Sequence, residues 1–290
     1  MLFRSLASDS PEDLDVAFAD WCHALYAEHG GTHRSVANNA LAGIHLFLPR
    51  LKGAMVYASL ALKGWERSVP SQPYPPITWE MAVAIGVRIA GTSSWPSGVG
   101  IVLAFDCYLR KCELLRLTVG DILLPGSSRA GSVFADRCAL RIGAAKTGRE
   151  QFVEVLRPEV IVLLTRVVTQ AVAAGASTST LLFTSSPSAL LRDVKEAAAT
   201  LGLDPRVVVH SCRHGGATGD FLAGTPITDI QHRGRWASLK SAQHYIQMGR
   251  ALLMASTAAT PPASLALADA VAADVLASFT LAQEHYVGVG

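Results

Sequence analysis

The sequence predicts a mainly α protein with one small β-hairpin or sheet, an α+β fold in two domains. Three observations predict it. Apolar residues recur at helical spacing behind capping residues along most of the chain. Only one pair of segments, 138–142 and 151–155, alternates apolar and polar residues across a short connection. The stretch 69–76 has four prolines in eight residues, which holds the backbone extended. These features divide the chain into a helical N-terminal domain at 1–68, a proline-rich linker at 69–77, a larger domain at 78–250 and a tail at 251–290.

Taken in order, Ser10-Pro11-Glu12-Asp13 reads as a helix start, with a serine N-cap, proline at the first helical position and acids in the first turn. Leu14, Phe18, Trp21, Cys22 and Leu25 then share one face. Gly30-Gly31 ends that helix. Thr32 or Ser35 caps a second, with Val36, Leu41, Ile44 and Leu48 inward, and Pro49 stops it. A third helix covers 54–65. Thr78 caps a helix through Ala90, and after the Ser/Pro/Gly break at 93–98 an apolar helix is expected to run through Ala104 and Tyr108 into the segment 108–117. Residues 118–124 read as strand or loop. The alternating pair reads as a β-hairpin with Lys146 in or beside its turn. From 158 the pattern is helical, Thr225-Pro226 marks another start, and the Ala- and Leu-rich segment 263–281 is a helix that is most stable docked on something.

Composition narrows the function classes. Half of the 290 residues are hydrophobic and 17% are charged, enough for a sizeable core and unlike a disordered chain. The uncharged run 167–191 reaches membrane-spanning length, but Gln170, Gly175, Pro187 and many Ser and Thr interrupt it, so it reads as a buried helix and a polar loop. The acidic N-terminal segment lacks the apolar core of a secretory signal, and an intracellular protein is expected. Five scattered cysteines without a C-x-x-C pair argue against a disulfide framework and a Cys-based zinc site. The net charge of +2 hides an uneven distribution: 78–250 holds nineteen basic against thirteen acidic residues, 1–77 holds six against seven, and 251–290 holds none against three. That asymmetry fits an anionic substrate of the larger domain.

Within that domain a few residues suit chemistry on a phosphodiester. Arg110 and Arg213 each sit amid apolar helical sequence, where a charge is costly without an anionic partner. Guanidinium forks match the non-bridging oxygens of a phosphodiester and neutralise charge in a pentavalent transition state. His210, one turn before Arg213, can take a proton or bond a phosphate oxygen. Tyr245 is the candidate nucleophile; a phenol ionises near pH ~10 and needs a base or neighbouring positive charge. Lys146 on its turn suits proton donation to a departing 5′ oxygen, and Trp236 offers an indole N–H and a packing face. Each has a plainer reading alone: Tyr245 and Trp236 as core aromatics, Arg110 as the i,i+3 partner of Glu113, Lys146 as a solvated turn lysine, His210 as a satisfied histidine. His210 and His214 at i,i+4 suit a helical metal pair, but no third ligand stands at motif spacing, so no metal is expected. Ala145-Lys146-Thr147 is no phosphate loop, because Leu140 and Ala145 stand where its glycines belong.

The set is more specific than its members. An Arg-x-x-Glu, a hairpin lysine, His-x-x-Arg-His-Gly, Gly-Arg-Trp and a tyrosine nine residues beyond Trp236, in this order, resemble the catalytic domain of the tyrosine recombinases, the phage integrase family. The resemblance covers 78–250, and the N-terminal helices look like the family's core-binding, DNA-clamp domain. It implies catalytic roles for Arg110, Lys146, His210, Arg213, Trp236 and Tyr245, with Glu113 and His214 in support. It also implies cleavage and rejoining of double-stranded DNA through a 3′-phosphotyrosyl intermediate, without metal, ATP or other cofactor. The implied assembly is a homo-tetramer on DNA, monomeric when free, with the 251–290 tail exchanged between protomers and no membrane partner. The wording HGGAT and GRWASLKSAQHYI looks closest to enzymes of eukaryotic mobile elements; a nuclear location goes with that, a cytoplasmic one with a bacterial or phage source. Three features depart from the family's commoner pattern: Trp236 stands where histidine is commoner, the N-terminal domain is slightly acidic, and Cys212 and His214 crowd the site without an assigned role. Two other readings remain open, a type IB topoisomerase-like nicking and religating enzyme and a recombinase-derived DNA-binding protein without catalysis.

Overall fold

A computed structural model describes residues 10–70, 74–126, 136–143, 151–246 and 262–287. Its contacts divide the chain into two compact units, Met1–Pro73 and Tyr74–Gly290.

The first unit is helical. Ser10 caps α1 (Pro11–His29) in a reciprocal box: Asp13 N–H donates to Ser10 Oγ at 3.2 Å and Ser10 N–H to the Asp13 carboxylate at 3.3 Å. Gly30, at φ 57°, ends it. Helices α2 (Arg34–Phe47) and α3 (Val56–Ser68) complete a core of Phe18, Cys22, Leu41, Met55, Leu62 and Trp65. The expected inward Val36 is 45% exposed and Ala37 is buried instead, because Ala37 stands four residues before Leu41 and shares the stripe of Leu41, Ile44 and Leu48, whereas Val36 stands five before it. Asp15 is 2% exposed and accepts the Tyr57 and Ala58 N–H groups at 2.8 and 2.7 Å, so one helix's acid caps the start of α3.

The second unit is built on two crossing helices. Thr78 caps α4 (Trp79–Thr92) and Ser94 caps α5 (Trp95–Asp106). They approach closely at Gly86 and Gly98, where a Cβ on Gly98 would overlap the Gly86 carbonyl oxygen. The expected continuous helix through Tyr108 does not form. It stops at Asp106, Tyr108 takes φ 49°, and α6 (Lys111–Leu114) starts afresh with Arg110 as its N-cap. A three-stranded antiparallel sheet follows, β1 (Ile122–Leu123), β2 (Cys138–Ile142) and β3 (Gln151–Val155), in the order β1-β2-β3. Leu140 pairs with both Ile122 and Val153, and the alternation buries Cys138, Leu140, Ile142, Val153 and Val155. Lys146 lies outside the described residues.

Around this stand α7 (Pro158–Ala173), α8 (Pro187–Thr200), α9 (Val209–Leu222), α10 (Ile227–Gly234) and α11 (Leu239–Tyr245). The expected single tail helix is two, α12 (Pro262–Ala273) and α13 (Val275–Val287), bent by 99° where Asp274 accepts the Ala277 N–H. Both pack on α4, with Phe279 fully buried. Among the described residues no single helix is long and apolar enough to cross a membrane.

Candidate active site

The site begins where α5 ends. A left-handed backbone at a residue as bulky as Tyr108 costs about 1–3 kcal/mol and needs support from its surroundings. The Tyr108 hydroxyl donates to Asp220, and its carbonyl accepts from Arg213 and from Arg235 Nη2 at 3.2 Å. Beneath it, Arg233 Nη2 donates to the Asp106 carbonyl at 2.5 Å and to the Asp106 carboxylate at 3.3 Å. Burial, then the nearby Asp220, pushes the Tyr108 phenol well above its ordinary pKa, so it serves as a donor. The turn carries Arg110 outward, its side chain 39% exposed. Its backbone N–H donates to Glu113 Oε2 at 2.8 Å and its Nη1 to Oε1 at 2.5 Å. Burial alone would raise the Glu113 carboxyl, but Arg235 and then Arg110 hold it below the usual range.

Helix α9 supplies the second arginine. Two glycines bring it close: a Cβ on Gly215 would overlap the Ile77 carbonyl and one on Gly216 the Phe105 carbonyl. Arg213 is 0% exposed, with Nη1 donating to the Tyr108 carbonyl and Nη2 to the Gly234 carbonyl at 2.6 Å. Among the described residues its hydrogen bonds end on carbonyls and its Nε has no partner. The expectation that each arginine needs an anionic partner is met for Arg110 by Glu113, and among the described residues no carboxylate forms an ion pair with Arg213. Burial, then Arg110 and Arg235, draws its pKa down.

The turn after α10 is shaped by a large ring. A Cβ on Gly234 would overlap the Trp236 indole, so glycine there lets the ring fold back. Arg213 Cζ lies 4.4 Å from the Trp236 ring centroid, and the buried Trp236 Nε1 has no hydrogen-bond partner among the described residues. Ser238 caps α11, which ends at Tyr245. The Tyr245 ring stacks on His214 at 4.6 Å, lies 4.8 Å from Trp236 and 5.4 Å from His210, and has Arg213 Cζ 5.1 Å from its centroid. The Tyr245 carbonyl lies 3.3 Å from His214 Nδ1 and accepts from the Thr218 hydroxyl at 3.4 Å. Burial, then Arg213 and Arg110, lowers His210 to about 4; burial, then His210, lowers His214 to about 4. Both rings are therefore neutral at pH ~7.

Arg110, Glu113, His210, Arg213, Trp236 and Tyr245 thus meet in one connected cluster, and His214 joins it as the stacking partner of Tyr245. Cys212 faces the core, where burial raises its thiol to about 12. Among the described residues no three His, Cys, Asp or Glu gather as metal ligands. Sequence reasoning missed Asp106, Tyr108, Asp220, Arg233 and Arg235. The only sequence signal was a charge between Gly234 and Trp236; the partner of Arg235, Glu113, lies 122 positions away.

The family model described as "Phage integrase family" matches residues 88–250. No curated protein matches the chain. Among solved structures, the Tn1549 transposon integrase in complex with circular intermediate DNA is 14% identical over 86% of this chain and 88% of that one, with a TM-score of 0.53. The same integrase with transposon right end DNA is 15% identical over 87% and 86%, at 0.52. The XerH site-specific recombinase bound to a palindromic difH substrate is 17% identical over 71% of this chain and 64% of that chain, at 0.51. At these identities the likeness is one of fold.

Proposed function

Because the chain belongs to the phage integrase family, the tyrosine recombinases, we propose that it cuts and rejoins double-stranded DNA in site-specific recombination, with Tyr245 as nucleophile. The observation that carries the reading is Arg213: a fully buried guanidinium, bonded only to carbonyls among the described residues, beside a tyrosine ring. A buried cation with no carboxylate is expensive unless the protein is made to receive an anion there.

Arg213 and Arg110 hold the non-bridging oxygens of the scissile phosphate, and the unpartnered Trp236 N–H donates to one of them. Because Tyr245 covers Arg213, its ring shifts as the phosphate enters. The Tyr245 oxygen attacks phosphorus, the bond to the 5′ oxygen breaks, and a 3′-phosphotyrosyl link and a free 5′ hydroxyl result. Neutral His210 accepts the phenolic proton; the 5′ oxygen takes a proton from Lys146, on sequence grounds. The covalent link conserves the bond energy, so a 5′ hydroxyl of another strand reverses the step without ATP or metal. Exchange between two duplexes needs four protomers on DNA, which is the expected assembly. The solved recombinases of this fold with DNA in their complexes support double-stranded DNA as the substrate class.

The test is covalent trapping on nicked suicide duplexes, comparing wild type with Tyr245→Phe on denaturing gels. An adduct is expected in wild type alone, with DNA binding retained by the variant. An adduct in both proteins would remove Tyr245 from the role. A wild type that binds DNA and forms none would overturn the breaking and rejoining reading.

A further inference from the structure

Resting on that reading of the site, we infer that Arg235 is a positioning residue of the reaction, holding the two acceptors through which Arg110 and Arg213 are themselves held. Its side chain is 3% exposed. Nη2 donates to Glu113 Oε2 at 2.8 Å and to the Tyr108 carbonyl at 3.2 Å, and Nη1 to the Cys107 and Arg233 carbonyls at 3.3 and 3.1 Å. Glu113 gives its other oxygen to Arg110, and the Tyr108 carbonyl also receives Arg213. The three guanidinium groups are therefore linked through one carboxylate and one carbonyl, and Arg235 is the member bonded to both.

Two physical arguments give this arrangement a use. An Arg110–Glu113 pair by itself is closed and neutral, and draws the guanidinium toward the carboxylate. With Arg235 sharing that carboxylate, three cations face one anion, and net positive charge remains for a phosphodiester. That charge matters most in the transition state, where the phosphate passes from one negative charge towards two. The backbone points the same way. Arg235 takes φ 56° at the end of α10, a left-handed cap that favours glycine or asparagine. An arginine there makes sense for its side chain. Only the flat guanidinium fork reaches four acceptors at once, which an ammonium does not.

The experiment measures single-turnover cleavage of a nicked suicide duplex, and DNA affinity separately, for wild type, Arg235→Lys, Arg235→Gln, Arg110→Ala and the Arg110→Ala/Arg235→Gln double variant. Arg235→Gln is expected to slow cleavage about 100-fold while DNA affinity changes less than about threefold, the signature of an interaction realised in the transition state. Arg235→Lys keeps the charge, loses the fork, and recovers about tenfold of that loss. In the Arg110→Ala background Arg235→Gln should cost clearly less than about 100-fold, because the Glu113 arm that the two residues share is already lost and only the arm through the Tyr108 carbonyl to Arg213 remains. Should Arg235→Gln fail to fold, Arg235→Lys with and without Arg110→Ala carries the same comparison. Cleavage by Arg235→Gln at the wild-type rate overturns the inference. So does an equal slowing in both backgrounds, or a rate loss matched by the loss of DNA affinity. A wild type that binds DNA without forming an adduct overturns the functional reading, and this inference with it; a competent wild type matched by Arg235→Gln overturns this inference alone.

Discussion

Two neutral histidines flank Tyr245, and they tie the stability of the site to pH. His210 and His214 are both lowered to about 4, burial being the first cause in each. In the unfolded chain each titrates near ~6.5. Between these values the unfolded state binds more protons than the folded one, so acidification favours unfolding. Stability is flat above pH ~7 and falls as pH drops from about 6.5 towards 4, by up to about 1.4 kcal/mol per unit for each histidine. The two histidines are lowered alike and share the effect. Urea midpoints measured near pH ~7, ~6 and ~5 should decline for wild type, and His214→Gln should flatten the decline. An unchanged slope in the variant would separate His214 from this pH dependence.

At the scale of the element, the site depends on how closely α9 approaches the turn after α5. A Cβ on Gly216 would meet the Phe105 carbonyl and the Tyr108 ring, atoms already committed to the left-handed turn. Gly216→Ala is therefore expected to destabilise the fold by about 1–3 kcal/mol, the usual cost of overpacking, and to slow cleavage by displacing Arg213. Gly219, three residues on in the same helix, has nothing within 4 Å of its Cβ position. Gly219→Ala should instead be neutral or stabilising by up to about 1 kcal/mol. Urea unfolding of the two variants checks the contrast, and equal effects would mean that helix propensity rather than close approach governs α9. The same elements explain what the sequence disclosed. Caps at Ser10 and Thr78 and the alternation of β2 and β3 act within a few residues, so they are legible in the chain. The break at Tyr108 is not, because apolar residues continue through it and the reversal is held by Asp220, Arg213 and Arg235, all more than 100 positions away. The motif residues Arg110, His210, Arg213, Trp236 and Tyr245 could be nominated from order and spacing. Arg235 could not be given a role without its partners, since a buried charge advertises itself only by what surrounds it.

For the whole molecule, the tail decides how the free chain holds together. Phe279 of α13 is fully buried against α4, the Trp95 indole N–H donates to the Phe279 carbonyl at 3.1 Å, and Arg166 Nη1 donates to the Thr280 hydroxyl at 3.0 Å. Ala282 lies over Gly91, where a Cβ would just touch it at 3.6 Å. The tail therefore closes the core of its own chain, and passing it to a neighbour on DNA would require breaking this contact and remaking it there. Removing a fully buried phenylalanine typically costs about 3–5 kcal/mol, so Phe279→Ala should lower the urea midpoint of the larger unit markedly. A contact made within one chain is independent of protein concentration, whereas one made between copies strengthens with it by mass action. Without DNA, the wild-type midpoint should stay fixed across a wide concentration range while Phe279→Ala lowers it throughout. A midpoint that climbs with concentration would show that the tail already sits on another copy before DNA is present, and exchange would then precede assembly instead of accompanying it.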